Sequence, residues 1–349
     1  MINFEEIARQ SAKLRRESIA LIPDNCKINT QYLGSMTNDE FVAAFREMQQ
    51  LIINIYADVE RAPFDWGYPK KNNTEELYGV AYNRISDFFK NMISNGTYSD
   101  GRLLVKKHKL SEEILNKLMR FGFRFDGYTK KADSFTFSYP QNPLVLETMW
   151  KYAEAQDPTT YIWAQHATFA SFSYRWVECP DEQKHEPIFL VKTDMSPIGL
   201  QEIQYWLYDK AKEYGYTINM KKPFDKNAIN YTKGSKQFIL VGIKNGDVFT
   251  KVIFRKVFET HPEKLAVLAT KCPGVFGESG ANCDINCGGR NEDHTFARTK
   301  ENQCSMRICY TIDGNDYENC AYKSFWFFNP TLDSFKDIFE LFVIENKIK

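Results

Sequence analysis

The sequence predicts an α+β protein with two domains, and three observations support this prediction. The chain has 349 residues, enough to bury two hydrophobic cores, and 43% of its residues are hydrophobic. Apolar residues recur at helical spacing in the first third of the chain. The second half combines helical spacing with two hairpin signals, Asn245-Gly246 and Asp313-Gly314. An aromatic content of 15% excludes a disordered chain, because so much ring surface stabilises a packed core.

Residues 1–179 are expected to form a mainly helical domain. Asn3 with Glu6 and Thr37 with Glu40 have the spacing of capping boxes, which open helices. The second box precedes a strong stripe of apolar residues at helical spacing. A third helix is expected over residues 73–95, since an Asn-Gly pair that favours helix termination follows it.

A helix-hairpin unit is predicted near residues 110–155. A helix over 111–121 is followed by two alternating segments, 123–125 and 135–139, which have the pattern of a β-hairpin. A further helix is expected to begin at Asn142-Pro143, because Asn is a good N-cap and Pro is tolerated in the first turn.

Residues 187–349 are expected to form an α+β domain, separated from the first by the polar run 179–187. The predicted elements are a strand at 188–192, a helix at 198–214, a strand at 216–220, a hairpin of 237–244 with 248–254, a helix from Pro262, a hairpin of 305–312 with 317–328, and a last helix after Asn329-Pro330. This order predicts a duplicated strand-helix-strand-strand domain with a cysteine-rich insertion at 272–320.

The duplicated order resembles, in topology, the effector-binding domains of the GyrI type. In those domains two such halves enclose a pocket, lined by Trp, Tyr and a carboxylate, that receives a cationic or hydrophobic small molecule. The resemblance implies an aromatic pocket lined by Tyr205, Trp206, Tyr310, Glu318, Tyr322 and Trp326. Small-molecule binding by a regulatory or binding protein is therefore the leading functional prediction. Packing of these rings in an ordinary core stays open as the alternative.

Six of the eight cysteines fall between Cys272 and Cys320, in a segment rich in glycine. A structural zinc ion needs four soft ligands in tetrahedral arrangement, and a glycine-rich loop can wrap such an ion closely. The predicted zinc ligands are Cys283, Cys287, Cys304 and Cys309. Reduced thiols packed as small hydrophobic groups and a disulfide such as Cys283 with Cys287 are the two other interpretations.

Two further functions are open alternatives. The chain lacks the local motifs of the common hydrolase, nucleotide-binding and metalloprotease classes, which leaves an enzyme that pairs a cysteine of the cysteine-rich loop with a histidine. His185 lies in the expected linker, a position that is typical of a solvated histidine.

Nucleic-acid binding is the other alternative. Residues 102–131 carry nine basic and three acidic side chains, in a helix followed by a hairpin with Lys130 and Lys131 at its tip. This is the outline of a winged-helix protein. The whole chain, however, has 45 basic and 45 acidic side chains, and this balance argues against a dominant surface for polyanions.

The compartment is expected to be the cytoplasm. Charged residues interrupt the first 21 residues, unlike the apolar core of a signal peptide. Apolar runs elsewhere are far shorter than the roughly 20 residues of a membrane-spanning helix.

Overall fold

A computed structural model of the chain contains two compact units, Met1–Ile198 and Gly199–Lys349. The structure describes residues 3–68, 84–106, 110–155, 169–220, 228–234, 237–244, 247–254, 256–272, 307–312, 314–320 and 325–347. Both helices and antiparallel sheets are present, so the chain is of the α+β class. The predicted boundary at 179–187 precedes the division between the units.

Six described helices and four strands build unit 1. The helices are α1 (Phe4–Glu17), α2 (Asn38–Arg61), α3 (Arg84–Ser94), α4 (Glu112–Arg120), α5 (Pro143–Glu154) and α6 (Pro187–Thr193). The strands are β1 (Gly96–Ser99), β2 (Arg102–Lys106), β3 (Arg124–Asp126) and β4 (Ser134–Ser138). Short 3-10 turns lie at Thr30–Tyr32, Pro63–Trp66 and Tyr174–Trp176.

The helix starts of unit 1 confirm the predicted caps. The Asn3 side chain accepts a hydrogen bond from the backbone of Glu6 at 3.1 Å. Thr37 and Glu40 form the complete, reciprocal capping box that the spacing predicts. These side chains satisfy backbone N–H groups that have no partner within the first turn of a helix.

The strands of unit 1 form one antiparallel sheet in the order β1-β2-β4-β3. The predicted hairpin of β3 with β4 is confirmed, with Phe125 opposite Phe137. The pairing of β1 with β2 was not predicted. Its turn is Asp100-Gly101, where both residues have positive φ, at 49° and 74°. Positive φ at both central residues is the geometry of a type I′ hairpin turn, which favours Asp-Gly.

The core of unit 1 lies between the inner face of this sheet and the buried sides of helices α2, α3 and α5. Phe137 on β4 is fully buried and stacks on Phe125 with ring centroids 5.2 Å apart. On the helical side, Phe45 of α2 meets Tyr152 of α5 edge-on at 5.3 Å. Aromatic pairs in these geometries add stabilisation beyond their buried area.

Unit 2 contains the remaining described elements. They are α7 (Ile198–Glu213), β5 (Thr217–Asn219), β6 (Ile229–Lys233), β7 (Gln237–Lys244), β8 (Asp247–Val252), α8 (Val257–Thr260), α9 (Pro262–Lys271), β9 (Arg307–Ile312), β10 (Asn315–Cys320), β11 (Phe325–Phe328) and α10 (Leu332–Lys347). Five strands form an antiparallel sheet in the order β11-β8-β7-β6-β5, and β9 pairs separately with β10.

One face of the five-stranded sheet is fully covered. Tyr231, Thr250 and Phe327 are all 0% exposed and share this face, by the register of their strands. Burial raises the pKa of Tyr231 and the nearby Tyr208 of α7 raises it further, so α7 lies on this side of the sheet.

Two predicted features of the C-terminal half differ from the structure. The predicted strand 188–192 is wrong, because these residues lie in helix α6, which begins at Pro187. A short, fully apolar run cannot be assigned to strand or helix by periodicity alone, and the proline in the first turn favoured the helix. The predicted second strand of the last hairpin also divides, since β10 pairs with β9 whereas β11 pairs with β8.

These differences change the order of the elements. The described strands give a single run from β5 to β8 closed by β11, rather than two matching strand-helix-strand-strand halves. The topological resemblance to the GyrI-type domains depended on those two halves, and the described strand order does not reproduce them.

Candidate functional site

A cleft of about 270 Å³ lies on the surface of unit 1. It is lined by residues from the Thr30–Tyr32 turn, the end of α5, the Tyr174–Trp176 turn and the start of α6: Asn29, Tyr32, Ala155, Arg175, Trp176, Glu178, Pro180, Gln183, His185, Pro187 and Leu190. Concave sites that combine rings with a few polar groups are the usual places for small ligands.

Two distant segments are joined directly beside the cleft. Ile28 and Glu178 form an antiparallel β-bridge. The backbone N–H of Asn29 donates to the carbonyl of Val177 at 2.8 Å, and that of Cys179 donates to the carbonyl of Lys27 at 2.7 Å. The bridge therefore fixes the backbone of Glu178 and places its side chain at the cleft.

A strained residue precedes the turn that carries Arg175. Phe172 has a φ of 46° although it is not glycine, and it is 0% exposed. Its carbonyl accepts a hydrogen bond from the buried Gln49 side chain at 2.9 Å, and Gln49 also bonds the backbone of Ile22 and Ala20. Left-handed backbone costs a bulky residue free energy, so these contacts hold the chain in a conformation it would otherwise leave.

Arg175 is engaged on the inner side of the cleft. Its guanidinium lies 3.5 Å from the Asp194 carboxylate, whose side chain is 2% exposed, and 4.9 Å from the centre of the Tyr174 ring. Asp194 is the C-cap of α6, where the helix dipole disfavours a negative charge. The Arg175 charge compensates that buried carboxylate, so this arginine is already committed to a partner within the protein.

The carboxyl group of Glu178, unlike the guanidinium of Arg175, is not paired at close range with an opposite charge in the described part of the chain. Desolvation by burial raises the pKa of its carboxyl group, and the nearby Glu182 and Asp194 raise it further against the opposing effect of Arg175. Within the described residues, no hydrogen-bond donor contacts this carboxylate. The cleft therefore contains an acidic group whose charge is only partly balanced.

The segment 179–187, predicted to be a linker, folds against the cleft. The Gln183 side chain donates to the carbonyl of Arg175 at 2.6 Å and accepts from the backbone of His185 at 2.9 Å. The His185 ring stacks on Phe189 with centroids 5.2 Å apart. His185 is thus a partly buried wall of the cleft, not the solvated histidine that its sequence context predicted.

The predicted aromatic pocket of the C-terminal half is only partly described. The Trp206 ring contacts Phe335 and Phe339 of α10 edge-on, at 5.9 and 5.3 Å. Trp326 on β11 lies 5.1 Å from the Phe249 ring, with the Lys251 ammonium 5.1 Å from its own ring. By strand alternation Trp326 points away from the face that α7 covers. The structure gives these two tryptophans different neighbours.

Of the four other residues of that predicted pocket, the structure describes the side chain of one. Tyr205 lies on α7 and is half-buried. The side chains of Tyr310, Glu318 and Tyr322 lie outside the described residues, so the pocket stays a prediction.

The predicted zinc ligands also lie outside what the structure describes. Cys283, Cys287 and Cys304 are not among the described residues, and of Cys309 only the backbone is described, in β9. In the described part of the chain, no group of three or more His, Cys, Asp or Glu side chains is placed to hold a metal ion. Zinc binding by the four cysteines stays a prediction.

Two of the described cysteines are poor candidates for a nucleophile. Burial raises the pKa of the Cys26 thiol to about 12, and burial also raises the pKa of Cys272. A thiol attacks substrates as the thiolate, which such environments disfavour. A cysteine enzyme would therefore need one of the other cysteines.

Sequence reasoning missed the cleft because its residues are scattered between positions 29 and 190 and match no motif. The one available signal is the cluster of Trp, Glu and His over residues 176–185, whose second half falls in the predicted boundary 179–187. Within the described chain, no helix has both the length and the apolar character to span a bilayer.

No protein-family model, curated protein or solved structure matches this chain, so the geometry of the cleft carries the functional argument.

Proposed function

We propose that unit 1 binds a small organic cation in the cleft, with the Glu178 carboxylate as its counter-ion. The observation that carries this proposal is the position of Glu178: a partly desolvated acid, without a hydrogen-bond donor from the described residues, in a cleft that also presents Trp176 and Tyr32. A bound ammonium group would relieve the repulsion from the neighbouring acids.

The rings and the charge balance both favour a cation over an anion. Trp and Tyr faces attract ammonium groups, and they cooperate with a carboxylate in many cation sites. An anion would need Arg175, but that guanidinium already pairs with the buried Asp194. The ligand expected for the predicted C-terminal pocket is a cationic or hydrophobic small molecule, and the proposed site lies in the other half of the chain.

Choline is a suitable probe, since 3,3-dimethylbutan-1-ol has almost the same shape without the charge. Isothermal titration calorimetry of the full chain should detect choline and fail to detect the neutral analogue. Glu178→Gln should weaken choline binding about tenfold or more, because a desolvated cation loses its counter-ion. Trp176→Leu should weaken it by a similar factor.

Glu182→Gln is the matched control, because Glu182 is exposed on the same segment and pairs with Lys27 at 3.5 Å. This variant should leave the affinity within about twofold of the parent, as exposed pairs contribute little.

Lowering the pH should weaken choline binding as Glu178 protonates, starting above the ordinary glutamate pKa of about 4.3. Equal binding of choline and the neutral alcohol, or normal binding by Glu178→Gln, would refute the proposal.

A further inference from the structure

The outer face of the four-stranded sheet in unit 1 is exposed along β2 and carries basic residues there, although Ser138 of β4 on the same face is buried. Residues of β2 alternate between exposed and buried, with Arg102, Leu104 and Lys106 on the exposed side. The opposite side carries Leu103 and Val105, both 0% exposed, which belong to the core. The outer face is therefore a true surface of the unit.

The strand register brings a second arginine onto this face. Arg102 of β2 lies opposite Ser138 of β4, and Ser138 lies opposite Arg124 of β3. With strands about 4.8 Å apart, the Cα atoms of the two arginines are about 10 Å from one another. Lys106 is four residues along β2 from Arg102, a distance of about 14 Å at 3.4 Å per residue.

These three cations are not neutralised within the described residues. No acidic side chain there forms an ion pair with Arg102, Lys106 or Arg124, although Asp126 is on the same face and Asp100 is in the adjoining turn. Two lysines of the predicted winged helix are different. Lys117 pairs with Asp65 at 3.2 Å, and Lys130 at the hairpin tip pairs with Glu112 at 2.9 Å.

We infer that this sheet face binds the phosphate backbone of a single-stranded nucleic acid. Arginine and lysine with nearby hydroxyl groups are the usual protein contacts to phosphate, and Thr97, Ser99, Ser134 and Thr136 supply hydroxyls between the cations on the same face. A stacked strand rises about 3.4 Å per nucleotide along its axis, so a patch of this size spans more than one phosphate.

The shape of the face favours a single strand over a duplex. Reading a duplex requires an element that enters a groove. The three cations of this face lie on the strands themselves, whereas one lysine of α4 and one of the hairpin tip already pair with acids. Leu104, which is 53% exposed at the centre of the face, offers an apolar contact to the bases that a single strand leaves free. The site is separate from the Glu178 cleft and does not depend on the function proposed there.

The test is fluorescence anisotropy of the full chain with a labelled twelve-nucleotide oligouridine, over a range of sodium chloride concentrations. The double variant Arg102→Gln with Arg124→Gln should bind about tenfold more weakly at low salt. Its slope of log K against log salt should be shallower by about 1.4, since each lost phosphate contact to a single strand removes about 0.7.

Lys117→Gln with Lys130→Gln is the matched control, because it removes two cations of the same segment that are already paired. This control should keep the parent affinity and salt slope. The inference is overturned if the parent does not bind oligouridine at low salt, or if both double variants lose affinity equally. Tighter binding to a duplex, or equal binding to an acidic polyglutamate peptide with the same sensitivity to the arginine variants, would overturn it too.

Discussion

In the proposed cation site, the Glu178 carboxylate favours ligand binding but lowers the stability of the ligand-free protein. Burial and neighbouring acids raise the pKa of its carboxyl group in the folded chain. Above that raised pKa the folded state holds a charged group in an unfavourable place, whereas the unfolded chain holds the same charge in water. Below the unfolded-state pKa both states are protonated and the cost disappears. A binding residue that weakens the free protein in this way is typical of functional sites.

Glu178→Gln should therefore raise the melting temperature of the ligand-free protein at about pH 7.5. The gain should shrink as the pH falls towards about 4, since the ordinary glutamate pKa is about 4.3. Thermal melting followed by circular dichroism at both pH values measures this difference. Glu182→Gln should give at most a small part of this gain, because Glu182 is an exposed neighbour that repels Glu178 only weakly and also pairs with Lys27. A lower melting temperature for Glu178→Gln at neutral pH would show that the carboxylate is stabilised by contacts that the structure does not contain.

Among the elements, helix α2 has the start that the sequence defines most clearly. The Thr37 side chain accepts from the backbone of Glu40, while the Glu40 carboxylate accepts from the backbone of Thr37 at 2.8 Å. The backbone N–H and the hydroxyl of Thr37 both donate to the Glu40 carboxylate, and these two hydrogen bonds lower the pKa of Glu40. The helix is 24 residues long and buries its apolar side in the core of unit 1. Hydrogen bonds that stabilise its first turn therefore also stabilise the fold of unit 1.

Thr37→Ala should destabilise the protein by about 1 kcal/mol, the usual effect of removing an N-cap side chain. The midpoint of urea unfolding, followed by circular dichroism, measures this loss. Thr37→Ser keeps the hydroxyl oxygen and should retain most of the stability. If the serine variant loses as much as the alanine variant, packing of the Thr37 methyl group rather than capping explains the effect.

Local patterns predicted the elements whose stability is local. The capping box of Thr37 with Glu40, the N-cap at Asn3, the helix start at Asn142-Pro143 and the hairpin of β7 with β8 depend on residues a few positions apart, and all were correct. The reciprocal half of a box at Asn3 and Glu6 is not formed, since the Glu6 carboxylate accepts from Gln10 instead. The strand predicted over the residues of α6 was wrong. Its apolar run is buried, so periodicity could not distinguish a helix from a strand. The β1–β2 hairpin was missed although Asp100-Gly101 is a hairpin signal.

The cleft depends on long-range contacts that no local pattern contains. The bridge of Ile28 with Glu178 joins positions 150 residues apart, and the hydrogen bond from Gln49 to Phe172 joins positions 123 apart. Each polar group of the cleft is unremarkable in its own sequence context. Only the folded chain places the acid beside the two rings, so the site could not be predicted from the sequence.

At the scale of the whole molecule, the division between the units determines how long a fragment must be to contain the complete cleft. All residues that line the cleft belong to Met1–Ile198. The sequence instead placed the end of the first domain at residue 179, which would exclude α6. That helix supplies Phe189 and Leu190, which are 0% and 3% exposed, and it ends at Asp194, the partner of Arg175.

A fragment of residues 1–198 should therefore fold and bind choline with nearly the affinity of the full chain. A fragment of residues 1–179 should melt at a lower temperature and lose choline binding, because Arg175 would be left without Asp194 and part of the apolar cover would be removed. Circular dichroism melting and calorimetry of the two fragments test this directly. Equal stability and equal binding of both fragments would instead place the end of the folding unit at the boundary that the sequence predicted.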